Sequence, residues 1–431
     1  MNPEADRFLL IPSSCCDHLR GRRAFSLTRG YRFVPCSTPG YTLRSLRDRK
    51  LRWFCSSTDR ALPATYRASM NPFFSPTRAA LLGSCASLLL SLPVQADVRL
   101  PALISDNMVL LQDSPANVWG WADPQEKVTV SFGGKTAETV ADVEGKWSVK
   151  LEGLPPTAEG ELKISGNNQL TVQNVAVGEV WVGSGQSNME WRVSSSANPQ
   201  EEIAAATFPK IRMFTVQRVP KAEPQTDCQG KWEVCSPETV AKFSAVAYYF
   251  GRDLHKALQV PIGLIHSSWG GTPAEYWTPA DVLAGDPDFQ GIVKSWETIK
   301  ANYPLAKETY DKALEAWTAE TEKAKAAGQP LPRRPEEPRG GNDFGSPGCL
   351  YNGMIAPLLP YTIRGAIWYQ GESNSGNARL YRKLFPTMIT SWRQRWNVGE
   401  FPFLYVQLAN YNAGRPPTGQ PEESNWAELR E

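Results

Sequence analysis

The chain has little histidine, and its cysteines form no metal-binding pattern. Only His18, His255 and His266 occur in 431 residues, and no Cys-x-x-Cys pair is present. Protein zinc sites need three or four Cys, His or carboxylate ligands, often closely spaced in the sequence. The sequence therefore predicts no metal site, and nothing in it indicates a cofactor.

Long apolar runs are also absent. The longest run lies within residues 79–92, which is too short to span a bilayer comfortably. It follows Met70 and one basic residue, and Val94-Gln95-Ala96 comes after it as a small-x-small sequence. This order is typical of a secretory signal peptide over residues 70–96 that is cleaved after Ala96. We therefore expect a periplasmic or secreted protein without stable membrane insertion after cleavage; a lipoprotein attached through Cys85 is the weaker alternative.

Residues 1–69 precede this signal pattern, although a signal peptide begins at the true N-terminus. They hold twelve Arg, one Lys and five acidic residues without sustained periodicity. We interpret them as a non-native upstream extension read from Met1 instead of Met70; a genuine basic, disordered extension is the alternative. Residues 97–431 hold 39 acidic and 32 basic residues. They give no electrostatic reason to expect nucleic acid or an anionic membrane as a partner.

The most informative string is GEVWVGSGQSNMEW at residues 178–191. An apolar strand, Val180–Val182, runs into three small residues that let the backbone turn sharply before Gln186 and Ser187. The carboxyl ends of parallel strands are where α/β sheets bind ligands, so this position suits a nucleophile. Taken alone, the string is more typical of an ordinary strand-to-helix turn with Ser187 as a cap.

Two further strings repeat this pattern, namely IGLIHSSWGGTPAEYW at 262–277 and GAIWYQGESN at 365–374. Each is an apolar strand that ends in Gly, Ser or Asn. Acyl transfer needs a nucleophile and hydrogen-bond donors aimed at the developing oxyanion. The three turns offer the Ser187 hydroxyl, the backbone of Gly270 and Gly271, and the side chain of Asn374.

Three motifs, taken in this order, resemble the SGNH hydrolase superfamily and, within it, the sialate O-acetylesterase family. They are GQSNMEW, SSWGGTPAE and WYQGESN. The resemblance runs from about Leu100 to the end of the chain. It implies a serine esterase that removes O-acetyl groups from sialic acid or related sugars through an acyl-enzyme. It further implies that Ser187 attacks the ester. The oxyanion hole would consist of the Ser187 N–H, the Gly271 (or Gly270) N–H and the Asn374 side chain.

Several residues beside these motifs are candidate substrate-binding residues. Trp191 is placed to stack on a sugar ring, and His266 stands where the family usually has Asn. The full set is Gln186, Trp191, Gly270, His266 and Glu372. Glu372 is interpreted as paired with an Arg or backbone donors and not as a catalytic acid.

The resemblance also implies a general base in an Asp-x-x-His string near the C-terminus, and no such string follows Asn374. His255 is expected on a helix, and His266 lies on the oxyanion side of the pocket, where it is poorly placed as a base for Ser187. Residues 425–431 read as the first turns of a helix. We therefore expect a fragment that lacks its acid–base pair and is inactive alone. If the fragment is active, His266 is the first candidate for a substitute base.

The expected fold is α/β, an SGNH-hydrolase-like parallel sheet with flanking helices over residues 178–431, preceded by a small all-β sandwich over 97–177. Helices are predicted over 237–258 and 305–327. The second helix belongs to a helical insertion at 281–342, interpreted as a solvated hairpin, with a lid over the pocket as the alternative.

Two groups of residues in the mature part of the chain each have two possible interpretations, namely three tryptophans and two cysteines. Trp119, Trp121 and Trp147 are interpreted as core or interdomain contacts, with a sugar-stacking surface as the alternative. Cys228 and Cys235 flank a short loop, and a disulfide and free thiols are equally compatible with that spacing.

An O-acetylated carbohydrate is the expected partner. Two alternatives to a sialate esterase stay open from the sequence. One is an acetyl xylan or other polysaccharide acetylesterase, and the other is a carbohydrate-binding protein without turnover.

Overall fold

A mostly parallel sheet positions the candidate site in the computed structural model, which describes residues 33–35, 97–156, 159–409 and 424–430. The expected signal peptide and most of the upstream extension lie outside the described residues. The sheet order is β1-β14-β13-β9-β12-β10-β11, and β2 pairs with the start of β9. These strands are β1 (Phe33–Pro35), β2 (Val109–Leu111), β9 (Ala176–Gly185), β10 (Phe208–Thr215), β11 (Trp232–Cys235), β12 (Ile262–Ser268), β13 (Gly365–Tyr369) and β14 (Phe403–Val406).

Strand β9 is the centre of this sheet. Its neighbours β12 and β13 run parallel to it, and all ten of its residues are buried. Helices cover both faces of a parallel sheet, so its strands read as continuous apolar or small-residue runs instead of alternating ones. Gly185 ends the strand with φ +135°, and a Cβ there would lie 2.2 Å from the carbonyl oxygen of Tyr369. Only glycine fits this close approach, which brings the ends of β9 and β13 together.

Ahead of β9 lie two small antiparallel sheets, which bear out the predicted β-region before an α/β sheet. One pairs β3 (Ala116–Trp121) with β6 (Lys146–Leu151). The other has the order β5-β4-β7-β8, formed by β4 (Lys127–Phe132), β5 (Lys135–Val140), β7 (Leu162–Ser165) and β8 (Gln169–Val172). Trp119 and Trp147 are 7% and 4% exposed and belong to the main hydrophobic cluster. Their burial favours the core interpretation over a sugar-stacking surface.

Helices flank the large sheet on both faces. They are α1 (Ser187–Glu190), α2 (Pro199–Ala204), α3 (Pro237–Val240), α4 (Ala245–Leu258), α5 (Ala280–Gly285), α6 (Gln290–Ala326), α7 (Ala378–Trp396) and α8 (Asn425–Arg430). The single helix expected over 237–258 is in fact two, α3 and α4. The Ser244 hydroxyl accepts a hydrogen bond from the Ala247 N–H at 3.1 Å, which caps the start of α4.

The charged insertion forms the long helix α6 and an irregular return segment, 329–345. Helix α6 begins at Gln290, fifteen residues before the predicted start. The return segment lies along the helix, because the Trp317 indole donates to the Pro332 carbonyl oxygen at 2.9 Å. Its last residues reach the large sheet, where Phe344 packs against Trp269 with ring centroids 4.8 Å apart.

Cys228, Cys235 and Cys349 are all free and buried, so the disulfide considered between the first two is absent. Burial raises the pKa of the Cys228 and Cys235 thiols to about 12 and that of Cys349 to about 11. Within the described residues, no helix is long and apolar enough to cross a membrane. The same part of the chain holds no group of three or more His, Cys, Asp or Glu residues placed to bind a metal ion.

Candidate functional site

The three motif turns meet at one edge of the sheet. Gly185 ends β9 and pairs in register with Ser268 at the end of β12 and with Tyr369 at the end of β13. Because these strands are parallel neighbours, the turns that follow them lie side by side. Ser187, the Gly270–Gly271 pair and Asn374 all belong to these turns, so the structure brings together the residues that the sequence proposed for one site.

Ser187 is the first residue of α1, and it is exposed. The residue before it, Gln186, is only 3% exposed and joins two of the turns. Its backbone N–H donates to the Tyr369 carbonyl oxygen at 2.9 Å, and its side-chain oxygen accepts the N–H groups of Ser373 at 3.1 Å and Gly371 at 3.4 Å. Gln186 was a candidate substrate-binding residue; in the structure its side chain holds the third turn against the turn that carries Ser187.

Gly270 lies directly against Ser187. A Cβ on Gly270 would lie 3.3 Å from the Ser187 Cβ and 3.1 Å from a carboxylate oxygen of Glu190. The Gly270 N–H donates to that Glu190 oxygen at 2.7 Å. Gly271 follows with φ +75° and no atom within 4 Å of the place where a Cβ would stand. The two glycines therefore differ: the N–H of the first is engaged by Glu190, and the second is exposed.

Asn374 is 7% exposed and is fixed by hydrogen bonds at both ends of its amide. Its oxygen accepts the Ala274 N–H at 2.9 Å and the Gln370 side-chain amide at 2.6 Å, and its nitrogen donates to Glu275 at 2.8 Å. A side-chain amide nitrogen carries two hydrogens, so one donor remains for a ligand. Burial raises the pKa of Glu275, and the bond from Asn374 partly opposes that rise.

Glu372 has a side-chain partner that the sequence did not suggest. The Asn188 amide donates to one of its carboxylate oxygens, and its other oxygen is buried without a hydrogen-bond partner in the described part of the chain. Burial is the main reason that the pKa of Glu372 is raised. This contact joins the residue after Ser187 to the third turn, and a backbone hydrogen bond also opposes the rise in the pKa of Glu372.

His266 lies within β12 and is 6% exposed. Its Nε2 is 2.6 Å from the Ser268 hydroxyl, and its ring packs edge-on against Phe243. Burial first, and then the positive charge of Arg218, lower its pKa to about 3, so the imidazole is neutral at pH 7. His255 lies on α4, where Nδ1 is 2.7 Å from the Val260 carbonyl oxygen. These contacts give each of these two histidines a partner other than Ser187.

Two further side chains, one aromatic and one charged, lie on or beside α1, the helix that begins at Ser187. Trp191 is 42% exposed, and its indole donates to the Ser195 carbonyl oxygen at 2.9 Å. Arg218 binds the second oxygen of Glu190 at 2.6 Å and lies 5.8 Å from the centre of the Trp269 ring. Arg218 was not among the residues predicted from the sequence. Its only signal was its place after β10, a neighbour of β12 whose carboxyl end faces the same edge of the sheet.

Comparison with known proteins agrees with the motif resemblance. Residues 342–429 match the family model described as carbohydrate esterase, sialic acid-specific acetylesterase. The sialate O-acetylesterase of Mus musculus is 32% identical over 338 residues, covering 71% of this chain and 59% of the mouse protein. That of Homo sapiens is 30% identical over 344 residues, covering 72% of this chain and 57% of the human protein.

Among solved structures, a carbohydrate acetylesterase from Xanthomonas citri is similar with a TM-score of 0.60 and 33% identity. That match covers 77% of this chain and 64% of the Xanthomonas chain. The chain thus spans less than two thirds of the length of each of these relatives.

Proposed function

This chain is a relative of the sialate O-acetylesterases. From this premise we propose that it is a serine esterase that removes O-acetyl groups from sialic acid or a related sugar. One observation carries the proposal. The exposed Ser187 stands at the carboxyl end of the central strand. Gly270 lies so close to it that a Cβ added to this glycine would be 3.3 Å from the Ser187 Cβ. The relatives from Mus musculus and Homo sapiens bear the name of that activity.

In the proposed reaction, the Ser187 oxygen attacks the acetyl carbonyl carbon and its proton passes to a general base. The bond between that carbon and the sugar oxygen then breaks, the sugar oxygen takes up a proton, and an acetyl-enzyme remains. Water hydrolyses this intermediate to acetate and restores the serine. Backbone and amide donors that are fixed before the reaction stabilise the oxyanion without reorganisation, and losing one typically costs about 100- to 1000-fold in rate.

The oxyanion donors of this proposal are the Ser187 N–H, a glycine N–H and the Asn374 side-chain amide. We assign the glycine donor to Gly271, because the Gly270 N–H is engaged by Glu190 at 2.7 Å. The rigid amide of Asn374, bonded at both ends, supports its role as a preorganised donor. Trp191 is a proposed substrate-binding residue, since it is exposed on the turn after Ser187.

The general base is proposed to be an Asp-x-x-His histidine that these 431 residues do not supply. His266 is bonded to Ser268 and His255 to Val260, and no histidine follows Asn374 in the sequence. We therefore propose that residues 97–431 alone are inactive. Export to the periplasm or the medium is proposed on the signal pattern at 70–96.

Acetate release tests this function. Residues 97–431 and the product of the same gene read through to its next stop codon are each assayed on an aryl acetate, on O-acetylated sialic acid and on acetylated xylan. We expect the longer protein to release acetate from the first two, and Ser187→Ala to abolish this.

The other outcomes each correct a different part of the proposal. Equal turnover by residues 97–431 would mean that the base is already present, and His266→Asn would then be assayed. Release from acetylated xylan but not from O-acetylated sialic acid would make the protein a polysaccharide acetylesterase. No hydrolysis in any form, with sugar binding that survives Ser187→Ala, would show a carbohydrate-binding protein.

A further inference from the structure

An arginine is linked to the Ser187 turn by a chain of short contacts. Arg218 follows β10, and its Nη2 donates to one oxygen of Glu190 at 2.6 Å. The other oxygen of Glu190 accepts the Gly270 N–H at 2.7 Å, and Gly270 packs against Ser187. Glu190 therefore fixes the guanidinium relative to the glycine turn and the reactive hydroxyl.

The guanidinium retains donors for a second anion. It carries five N–H groups in a planar fork whose geometry matches a carboxylate. The contact with Glu190 is made through Nη2, and the Arg218 side chain is 38% exposed. A ligand in the site can therefore reach the rest of the fork from solvent. Because Glu190 already orients the guanidinium, little side-chain entropy remains to be lost when a ligand binds.

An aromatic face lies next to this cation. The Arg218 guanidinium is 5.8 Å from the centre of the Trp269 ring, and Phe344 packs on Trp269 at 4.8 Å. Trp269 is the residue immediately before Gly270, so the aromatic ring and the nucleophile lie on the same turn. Trp269 is partly exposed and offers an apolar surface to the carbon face of a sugar ring.

We propose that Arg218, with Trp269 beneath it, is the specificity-determining residue that selects sugars bearing a carboxylate at this site. The inference rests on the proposed esterase function and decides between its candidate substrates, since a neutral xylan chain offers no carboxylate to this guanidinium. The sugar ring packs against Trp269, its carboxylate binds the free edge of the Arg218 fork, and its acetyl ester faces Ser187.

The other acidic groups of the site do not occupy Arg218. Glu275 is bonded to Asn374 and Glu372 to Asn188, which leaves Glu190 as the recorded carboxylate partner of Arg218 in the described part of the chain. The positive charge of Arg218 also reaches the buried His266, whose pKa it helps to lower. The electrostatic potential of Arg218 therefore extends to His266, near the end of β12.

Binding of the reaction product tests this role without any need for catalysis. The 431-residue chain is titrated with the methyl α-glycoside of N-acetylneuraminic acid and with the carboxyl methyl ester of the same compound, by calorimetry or saturation-transfer NMR. A hydrogen bond to a charged group contributes about 1.5–3 kcal/mol, so we expect the free acid to bind about 10- to 100-fold more tightly than its ester. Arg218→Gln should remove this preference, and Arg218→Lys, which keeps the charge but not the fork, should retain part of it.

Arg334 provides a matched control, because its guanidinium also lies 5.8 Å from a tryptophan ring, that of Trp317 on helix α6. Arg334→Gln should leave the preference for the acid unchanged. Equal affinity for acid and ester in the unchanged chain would overturn the inference, as would a preference that survives Arg218→Gln. Absence of binding by either sugar at millimolar concentration would overturn it too. Hydrolysis of an aryl acetate, which carries no carboxylate, tests the esterase proposal separately, so the two can fail independently.

Discussion

Acid should destabilise this protein through the buried His266. Its pKa is lowered from 6.5 to about 3, chiefly by burial, so the folded state keeps it neutral while the unfolded chain takes up a proton below pH 6.5. The unfolded state then binds more protons, and the free energy of unfolding falls as the pH falls. This loss of free energy of unfolding is absent well above pH 6.5 and grows progressively as the pH falls to about 3.

The size of the effect follows from the pKa difference. Each pKa unit corresponds to about 1.4 kcal/mol, so lowering the pH from 7 to 5 should cost about 2 kcal/mol through His266 alone. The variant His266→Asn removes this titration and keeps a side chain that can bond the Ser268 hydroxyl. We expect it to lose about 2 kcal/mol less free energy of unfolding than the unchanged protein between pH 7 and pH 5.

Urea unfolding at the two pH values measures this difference. Comparing the unchanged protein with its variant removes the contributions of the carboxylates, whose titration is common to both. His255→Asn is the matched control, since that histidine bonds a backbone carbonyl oxygen on the surface of α4 and is not fully buried. The reasoning is refuted if His266→Asn loses as much free energy between pH 7 and pH 5 as the unchanged protein.

Four further outcomes are expected. Gly178→Ala should lower the thermal unfolding temperature sharply, because its Cβ would lie 1.9 Å from the Pro261 carbonyl oxygen inside the sheet. In a form of the protein that releases acetate, Gly270→Ala should slow that release by about 10-fold or more, since a Cβ there presses on Ser187, and a displacement of the reacting groups by about 1 Å can cost about 100-fold. Gly271→Ala meets no atom within 4 Å and should lower stability by about 1–2 kcal/mol through its φ of +75°. The three buried thiols described above should resist an aromatic disulfide reagent at pH 8 until urea unfolds the chain, because burial raises their pKa values.

Three of these expectations have a control or a result that would contradict them. Gly291→Ala, in helix α6 with nothing within 4 Å, should not lower the unfolding temperature, and a drop equal to that of Gly178→Ala would contradict the packing argument. An unchanged rate in Gly270→Ala would show that Ser187 is free to move away from the added methyl group. Rapid labelling of Cys228, Cys235 or Cys349 in the native protein, read by peptide mapping, would show that the thiols are accessible.

The parts of the fold that the sequence predicted are those with strong local signals. The apolar runs before Ser187, Ser267 and Gln370 identified three strands and the edge where they end. A parallel strand that is buried on both faces needs apolar or small residues at nearly every position, so it produces a continuous apolar run in the sequence. The early start of α6 was missed because that helix is solvated over most of its length and shows no apolar stripe. The break before α4 was also missed, although Ser244 is a typical N-cap residue.

The positions of the candidate residues were predictable where the residues directly follow strands, and not where contacts join distant segments. Ser187, Gly270 and Asn374 follow parallel neighbouring strands, so their turns lie side by side. The engagement of Gly270 by Glu190, and the bridging role of Gln186, depend on packing between turns 80 or more residues apart. Arg218 lies in a loop without a motif, so only the strand order places it at the site.

The pairing of β9 bears on how the molecule unfolds. Strand β2, which precedes the two small antiparallel sheets in the chain, pairs with β9 over Ala176–Gly178, and β9 then pairs with β12 and β13 as far as Gly185. The small β-region between β2 and β9 is therefore tied to the large sheet at both of its ends. Melting the start of β9 disturbs both that region and the strand pairing that ends at the Ser187 turn. Calorimetry of the purified chain should accordingly record one cooperative transition for both regions, and limited proteolysis should not release the α/β part as an intact fragment by cutting near Ala176.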